Sequence, residues 1–234
     1  MKKHTLIAGH IALLALATLS LQAADQKTTY AARSGSKMRI EGTSNVHDWQ
    51  VEGSIIGGFM EVGPGFPAEP GQTAVPGKIE AKAEAFISAR SLRSIEKDGR
   101  PYSDAMDGIM YEKLKASEDP ATKKVPYPRI EYRLSELVLK ESPKAKEGPY
   151  VFDTKGDLMV AGVSKTISMV VNVTPMADKK VKISGTTTIK MTDFKIDPPA
   201  PKIALGLIKT GDDVKLIFEW MLAPPRKAPA AANN

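Results

Sequence analysis

His47 is the one imidazole beyond the first ten residues, the others being His4 and His10. It stands three residues after Ser44 and next to Asp48, so the first chemistry to test is a Ser–His–Asp relay. That relay needs a strained nucleophile turn and an oxyanion hole, and the chain has no G-x-S-x-G. On an extended strand, neighbouring side chains point to opposite faces. His47 should therefore diverge from Asp48 and share a face with Trp49. Two uses remain for the ring. It is either a structural group tied to a turn, or a partner for a ligand headgroup that changes charge near its ordinary pKa of ~6.5.

The other carboxylate pairs are weaker. Asp193 and Asp197 flank Phe194 beside Pro198-Pro199, and Asp212-Asp213 follow Gly211. Paired acids can share proton transfer if they meet, but in these settings they read as solvated turn formers. The chain has no Cys, which excludes disulfides, thiolate nucleophiles, thiolate metal sites and a lipidated cysteine. A multi-His metal site is excluded for want of ligands. The residues thus predict no catalytic group, no metal and no cofactor beyond a bound ligand.

Lys and Arg total 33 against 27 Asp and Glu, a formal charge of +6. Lys123-Lys124 and Lys179-Lys180-Lys182 have no aromatic side chains interleaved, so they offer no stacking platform for nucleic acid and read as solvated faces. Attraction to an anionic lipid surface, at ~1 kcal/mol per basic residue, is the other use open to them.

The elements that position these residues are almost all strands. Lys2 and Lys3 precede an apolar run from Leu6 to Leu21, with Ala23-Ala24-Asp25 after it. This is the pattern of a secretory signal over 1–23, and it predicts export to the periplasm without a lasting membrane span. After Met38 the chain alternates with period two. Val214, Leu216, Phe218, Trp220 and Leu222 share a face, as do Ile167, Met169, Val171 and Val173. Trp49, Val51, Ile55 and Phe59 are expected to share another, and Met38 to Gly42 forms the first strand. From Lys78 to Ser88, Ile79, Ala81, Ala83, Ala85 and Ile87 face one way. Three inward alanines fill a core poorly, so they leave lumen volume unless large residues across from them take it up.

One segment changes period. Met106, Ile109, Met110 and Leu114 recur at helical spacing between Asp104 and Ala116, with Ser103 as N-cap and Asp104 and Asp107 in the first turn. Such a helix either plugs one end of a barrel or offers a pliable methionine surface to a ligand. The Gly63–Gly77 stretch holds four Gly and four Pro and cannot be regular. The Ala-, Pro- and Asn-rich tail over 223–234 is expected to be disordered. The pattern predicts an all-β, antiparallel fold of roughly eight strands over 24–222, a barrel or a sandwich, with one amphipathic helix.

The stretch Gly42-Thr-Ser-Asn-Val-His-Asp-Trp49 resembles the G-x-S-x-x-H-x-W pattern of the YceI-like family. Ser91-Leu92-Arg93-Ser94, Tyr127-Pro128-Arg129-Ile130-Glu131-Tyr132, the Gly156–Lys165 hairpin and Met191–Phe194 are similar to later family segments, in order. The resemblance runs from about Ser36 to Leu222. It departs where Ser103-Asp104-Ala105 replaces a charged pair, in the longer 115–126 loop, and in the 63–77 insertion.

The resemblance implies a lipocalin-like exported barrel that holds a polyisoprenoid or fatty-acyl amphiphile without catalysis, in a family whose members often form homodimers. On that basis Trp49, Ala81, Ala83, Ala85, Met106, Met110 and Phe194 are candidate lining residues, with Ser44 and His47 near a polar headgroup. The alternative is a structural or stress-related interaction protein whose barrel is filled by side chains. A lipid-metabolising enzyme ranks behind both, since His47 alone offers it a reactive group.

Overall fold

The computed structural model describes residues 27–145, 148–200 and 208–225. Its strands are β1 (Thr28–Ala32), β2 (Lys37–Ser44), β3 (Trp49–Gly53), β4 (Ile56–Val62), β5 (Gly77–Lys78), β6 (Ala81–Ser88), β7 (Arg93–Ile95), β8 (Arg129–Glu141), β9 (Tyr150–Val160), β10 (Val163–Pro175), β11 (Val181–Lys190) and β12 (Thr210–Ala223). The α-helix among the described residues is α1 (Asp104–Lys113).

Three pairs of these strands are halves of longer, bent strands. β1 and β2 lie in turn along one edge of β12. β4 and β3 pair with them in the same sequence, and β6 and β7 pair with β4 and β3. Counted this way, the chain makes eight long antiparallel strands in a meander. The ring closes where β12 meets β1 and β2, giving a closed eight-stranded barrel with one helix. Closure removes the unpaired sheet edges that would otherwise invite association.

The β9–β10 connection shows why the turns fall where they do. Val160 pairs with Val163, so Ala161-Gly162 alone make the turn, and both have positive φ (51° and 83°). That is the twist a two-residue hairpin needs, and Gly162 adopts it without strain.

Several boundaries differ from the sequence-based expectation. The Trp49–Phe59 alternation breaks at Ser54-Ile55. Ile55 is 64% exposed, Ile56 is buried, and Phe59 turns outward under the Lys82 ammonium, 5.1 Å from its ring centre. One extra residue at the bend moves every later side chain to the other face. β1 begins the sheet ten residues before the expected start at Met38. Lys78 belongs to β5, which pairs with β8, so the alanine strand starts at Ala81. Ala223, expected in a disordered tail, is the last residue of β12, buried and paired with Ala31. The 1–23 segment and residues 226–234 lie outside the described residues.

The two ends of the barrel are built differently. At one end the 63–77 loop folds inward. Phe66 packs among Tyr30 and Phe152, with ring centres 6.2 and 6.1 Å away. The Tyr150 hydroxyl donates to the Gln72 carbonyl, and Gln72 Oε1 accepts from Ala68 N at 2.9 Å. This loop is irregular as expected, but it is also a plug. Burial raises the phenolic pKa of Tyr30 and Tyr150, with Glu69 adding to the effect at Tyr30. The other end lies under α1.

Candidate functional site

The hairpin between β2 and β3 sets the rim. Its residues Asn45–Asp48 lie outside the paired strands, so strand alternation does not govern His47, and the expected divergence of His47 from Asp48 fails: both line the mouth. Ser44 Oγ accepts from Val46 N (3.2 Å) and His47 N (3.1 Å) and donates to the His47 carbonyl (2.7 Å). It ties the turn and does not line the cavity.

His47 Nδ1 lies 2.8 Å from the Asp48 carbonyl oxygen, so this nitrogen carries the proton. Nε2 is then the acceptor for the Tyr102 hydroxyl at 3.3 Å, and the two rings meet edge to face at 5.8 Å. Ser44, His47 and Asp48 thus make a turn and not a relay, because the histidine ring bonds neither the serine nor the aspartate carboxylate. A Cβ on Gly42 would collide with the Trp49 ring, which lies across it. Trp49 Nε1 donates to the Thr43 carbonyl at 3.1 Å. The spacing of Gly, Ser, His and Trp in this stretch is what the hairpin requires.

The helix is clamped by one face and opens the other to the lumen. Ser103 caps it, its Oγ accepting from Met106 N. Asp107, in the first turn as expected, is buried. Its Oδ1 accepts from Ser94 N at 2.6 Å, and Arg93 Nε lies 3.7 Å from Oδ2. One turn on, the Tyr111 hydroxyl donates to the Leu92 carbonyl at 2.7 Å, with the Arg90 and Arg93 guanidiniums over its ring. Asp107 and Tyr111, four apart, fasten α1 to β7 and to Leu92 just before it. That leaves Met106, Ile109 and Met110 facing the cavity.

The cavity holds about 580 Å³. Its walls are Ile40, Trp49 and Val51 from the first strands, Leu158 and Val160 from β9, Val214 and Leu216 from β12, and Phe194 and Ile196 from the segment after β11. Its charged residues are Asp48, Glu96, Lys97, Asp98, Arg100, Asp107 and Lys113, all from the hairpin, the β7–α1 connection and the helix. Hydrogen bonds from Arg100 hold the Asp98 carboxyl below its ordinary pKa.

A second, inner chamber of about 120 Å³ lies deeper and carries no charged residue. Following single strands gives the order. On β12, Val214 lines the outer chamber, Leu216 both, Trp220 the inner one, and Leu222 packs in the plugged core. On β6 the same steps are Ile87, then Ala85 and Ala83, then Ala81. Burial, offset in part by Thr154, raises the pKa of Tyr132, whose ring lies across Gly156 beside the inner chamber.

Of the candidate lining residues, His47, Trp49, Met106, Met110 and Phe194 come together around the outer chamber. Ala83 and Ala85 line the inner chamber instead. Ala81 lines neither, because the plug has reached its level. The small space beside the alanines is trimmed by Met60, Phe218 and Trp220, so the large neighbours do part of what the sequence left open. Tyr102, Ile109 and the Asp107–Tyr111 clamp were missed. The clamp was legible only as an acid and an aromatic one turn apart, behind the methionine stripe. Asp193 and Asp197 are exposed, as turn residues should be. Asp212 instead accepts from Thr192 N (2.9 Å) and Thr192 Oγ1 (2.7 Å), bonds that lower its pKa. Among the described residues, no group of three or more His, Asp or Glu side chains converges to hold a metal ion.

The family profile of the YceI-like domain matches residues 71–222. The chain belongs to the YceI-like family. The match starts after the Gly42–Trp49 hairpin, but structural likeness extends further. A polyisoprenoid-binding domain from Saccharophagus degradans, implicated in plant cell wall breakdown, superposes with TM-score 0.55 at 13% identity, covering 85% of this chain and 99% of its own. BcnA of Burkholderia cenocepacia gives TM-score 0.52 at 15% identity, covering 80% and 95%. Among curated proteins, none matches this chain. At these identities the likeness establishes the YceI-like barrel, and the lumen must be argued from its own residues.

Proposed function

We propose that this protein is a non-catalytic carrier that holds one long-chain amphiphile, a polyisoprenoid or fatty-acyl derivative, in the barrel lumen for transport, storage or sequestration. The carrying observation is the outer chamber. It is about 580 Å³, apolar along its walls, with charge gathered at the mouth, within the usual size range for a small-molecule site. The Saccharophagus domain of this fold is a polyisoprenoid binder, which supports the ligand class. Ten buried methylenes contribute ~8 kcal/mol gross. Ordering and association cost several of these, so micromolar affinity, about 8 kcal/mol net, takes a chain longer than ten methylenes or polar contacts at the headgroup. The charge-free inner chamber favours tail-first entry, with the headgroup near His47 and Tyr102.

Export to the periplasm belongs to this proposal, on the strength of the Lys2–Ala24 pattern. Among the described residues no helix is long and apolar enough to cross a membrane.

Mass spectrometry of the protein isolated from a bacterial periplasm, native and then solvent-extracted, tests the proposal. A stoichiometric amphiphile that survives gel filtration is the expected result. An empty protein that also fails to take up added prenyl alcohols or fatty acids would overturn it in favour of an interaction protein, and the N-terminal sequence of the same sample checks cleavage near Ala23.

A further inference from the structure

Met38, Leu158 and Leu216 are the residues that line both chambers. They come from β2, β9 and β12, three separate staves of the barrel. On each stave they sit at the level where the outer wall gives way to the inner one. Leu216 stands between Val214 and Trp220, Leu158 between Val160 and Thr154, and Met38 next inward from Ile40. Met38 also packs against both the plugged core and the cluster at Val51, so it spans the boundary.

We infer that these three side chains form a neck that makes the lumen a two-stage ruler for hydrocarbon length. This rests on the proposed lipid-carrier reading and adds to it a basis for choosing among ligands. A chain that fits the outer chamber is held without disturbing the neck. A longer chain must displace the Met38 thioether, which is unbranched and re-packs readily. It then fills a space of only about 120 Å³ that ends at Trp220 and the plug. Affinity should rise by roughly fourfold per methylene while the outer chamber fills. It should pause at the neck, rise again briefly, and fall once the chain reaches the plug. The alanines of β6 set the second stage: Ala85 and Ala83 keep it open, and Met60 and Trp220 limit it.

The test is a length series of straight-chain saturated fatty acids, from about ten to about twenty-two carbons, read by displacement of a bound fluorescent probe. Ala85→Leu fills part of the inner chamber, and Leu216→Ala widens the neck. Circular dichroism confirms that each variant folds. The expected result in Ala85→Leu is a greater loss of affinity for long chains than for short ones, with the optimum moved to shorter chains by a few carbons. Leu216→Ala should erase the pause and favour longer chains. A smooth length dependence that neither variant alters would overturn the ruler while leaving a lumen carrier in place. No binding of any fatty acid, with prenyl alcohols also refused, would remove the carrier and the ruler together. If one variant fails to fold, the other still decides, since each moves the optimum in its own direction.

Discussion

The two ends of the barrel are made from the same eight staves, yet one is solid and the other hollow. At the solid end, Tyr30, Tyr150 and Phe152 point inward and the 63–77 loop inserts Phe66 among them. At the hollow end the inward positions are mostly Ile, Leu, Val and Met, with Trp49 and Phe194 standing in the wall and leaving the centre open, and the covering element is a helix that gives its polar face to the wall. A lumen therefore depends less on small residues in the strands than on which end receives aromatic fill and how the cover is attached. Packing at the solid end supplies stability, and the helix clamp preserves volume at the other.

The largest effect should come from the solid end. Phe152→Ala removes a fully buried ring and should cost about 3–5 kcal/mol in denaturant unfolding, with ligand affinity per folded molecule little changed. A loss under about 1 kcal/mol would show that the plug does not anchor the fold. Next is the clamp. Asp107→Ala leaves the buried Ser94 N–H without its acceptor and should cost about 1–3 kcal/mol. It should also weaken amphiphile binding, because α1 no longer holds the mouth. Asp107→Asn, which keeps an acceptor oxygen, should recover part of both. If Asp107→Ala lowers stability but leaves binding intact, the helix is not part of the site.

Met110→Ala sharpens the comparison from the hollow side. This side chain already borders open volume, so its truncation should cost about 1 kcal/mol or less, well below a core Met→Ala. Its effect should fall on ligand affinity instead. An unfolding cost as large as that of Phe152→Ala would mean that the outer chamber is filled in solution.

Much of the barrel was legible because a half-buried strand writes its inward face every second residue. The Val214–Leu222 alternation on β12 and the Ile167–Val173 alternation on β10 come through intact. What the pattern could not carry were the bends. At Ser54-Ile55 one extra residue reverses the phase, and Phe59 was placed on the wrong face. In β8, register shifts after Leu134 move the inward set to Leu137 and Leu139. The site was legible in its helix and hairpin because capping and turn formation are local. Ala81 lines neither chamber, because its surroundings are set by the plug, a loop whose inward fold its irregular composition does not announce. Ser44 serves the backbone, and His47 bonds a carbonyl and Tyr102.

The smallest effect concerns the segment that carries Phe194 and Ile196 into the outer wall. It leaves β11 through Thr192, whose amide and hydroxyl donate to Asp212 at the start of β12. These bonds, the hydroxyl's first, hold the Asp212 pKa below its ordinary value. A carboxylate with a depressed folded pKa contributes stability above its unfolded pKa of ~3.9, and that contribution is lost as pH falls through the folded value. The Asp212 carboxylate is exposed to solvent, so the gain is small. Asp212→Ala should be slightly less stable than the parent at neutral pH, and the two should converge below about pH 4 in parallel urea titrations. A gap that persists unchanged into strong acid would assign the difference to packing and not to the carboxylate. Because this tie sits outside both the plug and the clamp, amphiphile affinity at neutral pH should change less than in Asp107→Ala, which ranks the helix above the Phe194 segment in holding the mouth open.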